Sequence, residues 1–283
     1  MKIFVTGSNG YIGRNFIKFA AKKNVKIFAV TRKKKNVKIK NVKWLVGKID
    51  KKWSELNKAD ILVHFATVGA YDKFSNLEKT FNFNVVRSLK LLFNASLSNC
   101  RKWLIISTNK EKKIQRLLID KKNLNNSVLE PHFNYALTKF TFSKLSKILS
   151  IILNSKCRII KLFHVYGGDE NKKRLWPLLM YHSKNNLNLN MTSGHQVYDF
   201  SHIDNVVKSI FETLNFRKKN KVFPQEWDLA SGKGMSVREF AKKIWKKNNS
   251  KAKIFFSKIK NFDKENYLSD KKKLWRVKYK RYE

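Results

Sequence analysis

The chain has 283 residues, 62 of them lysine or arginine against 20 acidic, and a formal net charge of +42. That length suffices for a full core and fits one nucleotide-binding domain with a smaller appended lobe better than two independent domains. The cations are spread from Lys22-Lys23 through Lys112-Lys113 and Lys218-Lys219 to Lys271-Lys273, not gathered on one face. This argues against nucleic acid as the primary partner and leaves steering of an anionic nucleotide substrate as a use for the charge. No apolar run reaches the roughly 18 residues of a spanning helix, and the first residues already read as strand, which predicts a cytoplasmic protein with no membrane segment. Cys100 and Cys157 are too few for a disulfide framework and lie in no metal-ligand pattern, so both read as buried small hydrophobes.

Ile3-Phe4-Val5 is a short apolar run of the buried parallel-strand kind, followed by Gly7, Gly10 and Gly13 at three-residue spacing. Behind them Ile12, Phe16, Phe19 and Ala20 recur at helical spacing, so the glycines sit where a strand turns into a helix. That is a phosphate cradle for a dinucleotide. Gly7 allows the tight turn, Gly10 lets backbone approach a pyrophosphate, and Gly13 lets the helix pack close to the strand. Lys26 to Val30 read as the second strand. At its end, where NAD-binding versions of this turn carry an acidic residue, stand Thr31, Arg32 and Lys33 to Lys35. Cations suit a 2′-phosphate, so NADP is expected, with NAD as the alternative.

Val42 to Val46 predict a third strand and Ala59 to His64 a fourth, running into Phe65-Ala66-Thr67. Leu77 to Leu97 predict one long helix on Phe81, Val85, Leu89, Leu92 and Phe93. Asn84 lies within it, where an inward amide can brace backbone groups of neighbouring strands. Trp103 to Ile106 predict a fifth strand ending in Ser107-Thr108, hydroxyls at the carboxyl end of a strand, where such sheets bind ligands. Lys110 to Asn126 read as a loop over the site. Tyr135 and Lys139 lie four apart on the next helix and share a face, which allows the ammonium to lower the phenol towards a working range. Arg158 to Leu162 predict a sixth strand, and beyond it come helices around Trp176 to His182, Ile203 to Phe216 and Ser236 to Lys247. The last opens on a capping box of Ser236 and Glu239. The expected architecture is α/β: a doubly wound parallel sheet (Rossmann) over residues 1–165, with a smaller interleaved substrate lobe over 166–283. The helix at 203–216 is expected to pack back on the larger domain.

With these residues collected, the chain resembles the extended short-chain dehydrogenase/reductases, the NAD-dependent epimerase/dehydratase family acting on nucleotide sugars. The resemblance rests on Thr6-Gly7-x-x-Gly10-x-x-Gly13, His64-x-Ala66, Asn84, Ser107-Thr108, Tyr135-x-x-x-Lys139, Phe163-His164-Val165-Tyr166-Gly167 and Tyr198-Asp199-Phe200, in that order. It implies hydride transfer at a sugar C4, with Thr108 on the C4 oxygen, Tyr135 exchanging the proton, and Lys139 on the nicotinamide ribose. It places Gly7, Gly10, Tyr11, Ile12, Gly13, Thr31, Arg32, Phe65, Ala66 and Lys139 at the cofactor. It places Asn84, His164 and Tyr198 at the substrate, and pairs the long helices into a homodimer. Thr192 to Val206 and Leu129 to Lys139 are most similar to the branch that makes CDP- or dTDP-linked deoxyhexoses for surface polysaccharide.

Dehydratases of the family carry an acidic pair after the catalytic threonine; here Asn109 and Lys110 stand there, which leaves 4-epimerisation or 4-keto reduction. Lys48, His164 and Tyr198 depart from the residues the family usually has at the adenine and the substrate diphosphate. The competing expectations are an idle dinucleotide sensor that binds a partner, and a polyanion-binding protein suggested by charge alone.

Overall fold

Apolar runs bounded by lysine, asparagine and glycine become the strands, and the amphipathic stretches between them become helices. The computed structural model describes residues 1–33, 37–72, 74–119, 132–216, 222–257, 268–270 and 274–277. Two units result: Met1–Leu162 with Val207–Trp227, and Phe163–Val206 with Asp228–Glu283.

In the first unit the chain runs β1 (Lys2–Thr6), α1 (Tyr11–Ala21), β2 (Lys26–Thr31), β3 (Val42–Val46), a 3-10 turn at Ser54–Lys58, and β4 (Ile61–His64). There follow α2 (Leu77–Phe81), a π-helical turn (Asn82–Arg87), α3 (Ser88–Leu97), β5 (Lys102–Thr108), α4 (Glu111–Ile119), α5 (Phe133–Ile152) and β6 (Lys156–Leu162). The strands are parallel in the order β3-β2-β1-β4-β5-β6. This is the order of the doubly wound dinucleotide fold, whose ligand crevice opens at the carboxyl ends of β1 and β4, where the order reverses. Phe4, Leu62, Trp103, Ile105 and Ile159 build the core, and Cys100 and Cys157 are buried in it as free thiols.

The second unit adds β7 (His164–Tyr166), α6 (Leu175–Lys184), β8 (Leu189–Met191), β9 (Val197–Tyr198) and β10 (Phe200–His202). Helix α7 (Ile203–Glu212) leads back into the first unit, where its Phe211 ring lies 5.7 Å from Phe19 on α1. Strand β11 (Gln225–Ala230) then joins the sheet beside β6. Past Trp227, Asp228 to Ala230 pair in parallel with β14 (Leu274–Arg276). Between them lie β12 (Met235–Ser236), α8 (Val237–Lys247) and β13 (Ile254–Phe256). Strand β7 pairs with β10, β9 with β12, and β8 with β13. Leu179, Phe200, Phe240 and Trp245 form this unit's core, and Ser236 and Glu239 make the capping box at the start of α8.

Two expectations are corrected. The stretch expected as a loop from Lys110 is helical over Glu111–Ile119, while 120–126 lies outside the described residues. Lysines at 112 and 113 hid the helical recurrence of Ile114, Leu117 and Leu118. The single helix expected from Leu77 to Leu97 is interrupted at Asn82–Arg87, where one extra residue per turn widens it.

Candidate active site

Gly7 takes φ +71°, and a Cβ there would lie 2.5 Å from the Ala66 nitrogen and 2.6 Å from the Phe65 carbonyl carbon. A Cβ on Gly13 would lie 2.3 Å from the Gly7 oxygen, so α1 packs against the turn at backbone distance. Gly10 caps the helix, donating its own N–H to the Gly7 carbonyl at 2.9 Å. No side chain fits at Gly7 or Gly13, and the amides of the first turn of α1, Tyr11 and Ile12 among them, begin there. This is a helix N-terminus able to hold a pyrophosphate, so the residues present fit a dinucleotide. Phe65 and Ala66 form the opposite wall, the Phe65 ring lying 5.1 Å from Phe16 and tilted 48° to it.

At the end of β2, Thr31 is buried and does not offer its hydroxyl to a ribose. Its Oγ1 accepts from Asn9 Nδ2 at 2.6 Å and donates to the Lys33 carbonyl at 2.9 Å. Arg32 and Lys33 are exposed beside it, while Lys34 and Lys35 lie outside the described residues. Lys48, after β3, is exposed as well.

The proposed catalytic groups meet at the carboxyl end of β5. Tyr135, in the first turn of α5, is only 8% exposed, and the hydroxyls of Thr67 and Thr108 both act on its phenol. Lys139 is buried one turn on; its Nζ donates to the Ile106 carbonyl at 2.9 Å and lies 5.6 Å from the Phe142 ring. Burial pulls Lys139 down to about 8, opposed by the charge of Glu111. Burial also pushes the Tyr135 phenol well above its ordinary value, and Glu111 pushes the same way. Burial thus opposes the pull expected from Lys139 on the phenol. Desolvation of the phenol dominates, and the ammonium is directed at a strand carbonyl.

Asn84, read from the sequence as an inward amide able to brace backbone, does so. Its Oδ1 accepts from Val68 N–H at 2.9 Å and from the Thr67 hydroxyl at 3.1 Å, and its Nδ2 donates to the Val68 carbonyl at 3.0 Å and to Thr138 Oγ1 at 3.1 Å. All four hydrogen-bonding positions of the amide are occupied. The π-helical turn aims this side chain inward and so fixes the segment that carries Thr67. A second buried chain runs from Thr6 through His64 to Ser88, at 2.8 Å and 3.1 Å, with burial holding His64 neutral at about 3.

His164 and Tyr198 lie in the second unit, stacked on each other with centroids 5.2 Å apart and planes at 13°. Sequence reasoning missed Glu111, a carboxylate 1% exposed that receives the hydroxyls of Ser107 and of Ser143 (2.6 Å) and pairs with Lys161 at 3.2 Å. The one signal for it was an acidic residue placed where a helix dipole favours it, three residues after Thr108.

Among known proteins, two sequence relatives carry the same name. The CDP-abequose synthase of Salmonella typhimurium is 26% identical over 246 residues, covering 84% of this chain and 78% of that protein. That of Salmonella muenchen is 24% identical over 272 residues, covering 93% and 86%. Among solved structures, the UDP-glucose 4-epimerase of Thermotoga maritima superposes with a TM-score of 0.76 at 15% identity, over 95% of this chain and 90% of that one. The UDP-N-acetylglucosamine 4-epimerase of Methanobrevibacter ruminantium does so at 0.76 and 17%, over 95% and 89%. The model of one family matches residues 3–224, and with the glycine turn, the strand order and this match the chain belongs to the NAD dependent epimerase/dehydratase family.

Proposed function

We propose that the protein is an NADP-dependent nucleotide-sugar 4-ketoreductase, with NAD as the alternative cofactor, acting in the cytoplasm on a CDP- or dTDP-linked 4-keto deoxyhexose. The observation that carries this reading is the Tyr135 phenol, buried with the hydroxyls of Thr67 and Thr108 acting on it. A protonated phenol is the acid that keto reduction requires. The relatives' name supports a CDP-linked sugar. Asn109 and Lys110 cannot supply the carboxyl pair that elimination needs.

The cofactor, when bound, supplies the hydride. Thr108 Oγ1 orients the C4 oxygen, Tyr135 gives its proton to that oxygen, and Lys139 holds the ribose and, by its charge, steadies the phenolate left behind. Arg32, exposed at the end of β2, would meet a 2′-phosphate, and the basic surface would draw in the anionic substrate. Epimerisation at C4 is the second reading, since the same phenol and threonine serve hydride removal and return. Leu77, Phe81, Val86, Phe93, Leu145 and Ile148 leave apolar surface exposed along α2, the π-helical turn, α3 and α5, which supports a homodimer paired through these helices.

The test is to mix the purified protein with NADPH and a panel of CDP- and dTDP-linked 4-keto sugars and follow reduced-nicotinamide absorbance and product identity. Tyr135→Phe is expected to abolish turnover at nearly unchanged cofactor affinity; a variant as active as wild type would remove the proton role. Cofactor binding without turnover of any sugar would favour the idle sensor.

A further inference from the structure

Glu111 opens α4 three residues after Thr108, and its carboxylate is inside the protein. One oxygen receives the hydroxyl of Ser107, the neighbour of Thr108 on β5, and that of Ser143 at 2.6 Å, one turn beyond Lys139 on α5. The other faces Lys161 Nζ on β6 at 3.2 Å. Lys161 is shared with Glu226 on β11 at 2.5 Å, and Glu226 also pairs with Lys147 on α5. Four charges of alternating sign thus run through the first unit, and the carboxylate at one end holds Ser107, next to Thr108, and Ser143, one turn from Lys139, while its charge reaches Tyr135 and Lys139.

We propose that Glu111 is the positioning residue and counter-ion of this site: its carboxylate ties the strand end bearing Thr108 to the helix bearing Tyr135 and Lys139, and supplies the negative charge beside that pair. The inference rests on the reading of Tyr135 and Lys139 as the catalytic pair. A buried ammonium is unstable unless a carboxylate shares its environment. Glu111 does this without a direct ion pair, leaving Lys139 Nζ for the Ile106 carbonyl and a ribose. The same charge holds the phenol in its protonated form at neutral pH. The groups acting on the pair are Glu111 from α4, His64 from β4, neutral by burial, and Tyr71 from the segment after β4; Lys161 from β6 pairs with Glu111.

The experiment titrates NADPH affinity against pH by nicotinamide fluorescence. In the wild type, affinity is expected to fall as Lys139 loses its proton, near pH 8. Glu111→Gln keeps an oxygen for both serines and removes the charge, and with it the ion pair to Lys161; the transition is expected to move down by roughly one pH unit. Lys161→Gln leaves the Glu111 charge less compensated and is expected to move it up, and this variant decides the matter should Glu111→Gln fail to fold. Ser143→Ala loosens the clasp with the charge intact, and is expected to lower kcat with the transition in place. A transition unmoved in Glu111→Gln, moved the same way in both charge variants, or persisting in Lys139→Met overturns the proposal. NADPH binding without sugar turnover sinks the functional reading alone, because the titration still judges Glu111; no binding at all sinks both.

Discussion

Lys139→Met is expected to abolish turnover and yet make the protein more stable at neutral pH. The ammonium is 3% exposed and its pKa falls from 10.5 to about 8 on folding. Holding it charged at pH 7 therefore costs about 3 kcal/mol relative to the unfolded chain, at about 1.4 kcal/mol per unit. Losing its hydrogen bond to the Ile106 carbonyl returns about 1–2 kcal/mol of that, so the net gain is about 1–2 kcal/mol, or about 2–6 °C in Tm. The pH dependence has a defined sign. The folded value lies below the unfolded one, so between about 8 and 10.5 the unfolded chain holds the extra proton and wild-type stability climbs with pH. The advantage of methionine is thus full below about pH 8 and gone above 10.5. Thermal melts of both proteins across pH 7 to 11 provide the assay. A variant that melts below wild type at pH 7, or a difference that does not change with pH, would refute the reasoning.

Gly13→Ala brings a Cβ within 2.3 Å of the Gly7 oxygen and is expected to cost about 1–3 kcal/mol and weaken dinucleotide binding; calorimetry showing wild-type affinity would count against the cradle. Asn84→Ala strands the Val68 N–H and carbonyl together and is expected to lower unfolding stability by about 2–4 kcal/mol, with an unchanged urea midpoint as the contrary result. Arg32→Ala is expected to weaken NADPH more than NADH; equal losses in fluorescence titrations would leave no 2′-phosphate site at the end of β2.

What the sequence displayed was whatever has a period or a fixed spacing. The apolar strands, the three glycines and the four-residue step from Tyr135 to Lys139 are local patterns, and the structure has a strand or helix at each. Glu111 was not legible because its role depends on Ser143 and Lys161, 32 and 50 residues away, meeting it in space. Lys161 sits in a strand whose neighbours are apolar, and nothing local distinguishes a buried, paired lysine from a surface one in so basic a chain. The π-helical turn escaped for a different reason: one inserted residue shifts the helical face without erasing the apolar recurrence on either side. The fate of Thr31 also needed coordinates, since only they show Asn9 reaching across from the glycine turn to take its hydroxyl.

The return of residues 207–227 to the first unit has a consequence for biogenesis. When Leu162 leaves the ribosome, the sheet is one strand short at the β6 edge. Arg158, whose guanidinium is later held by Gln225 at 3.0 Å and 2.9 Å, then has no partner from that segment. Lys147 and Lys161 likewise await Glu226. An open edge flanked by Arg158 and Lys147, with Lys161 held by Glu111 alone, repels another copy of itself more than it recruits one. The same electrostatics that complete the enzyme's core would thus keep the nascent chains apart until some sixty further residues have been synthesised.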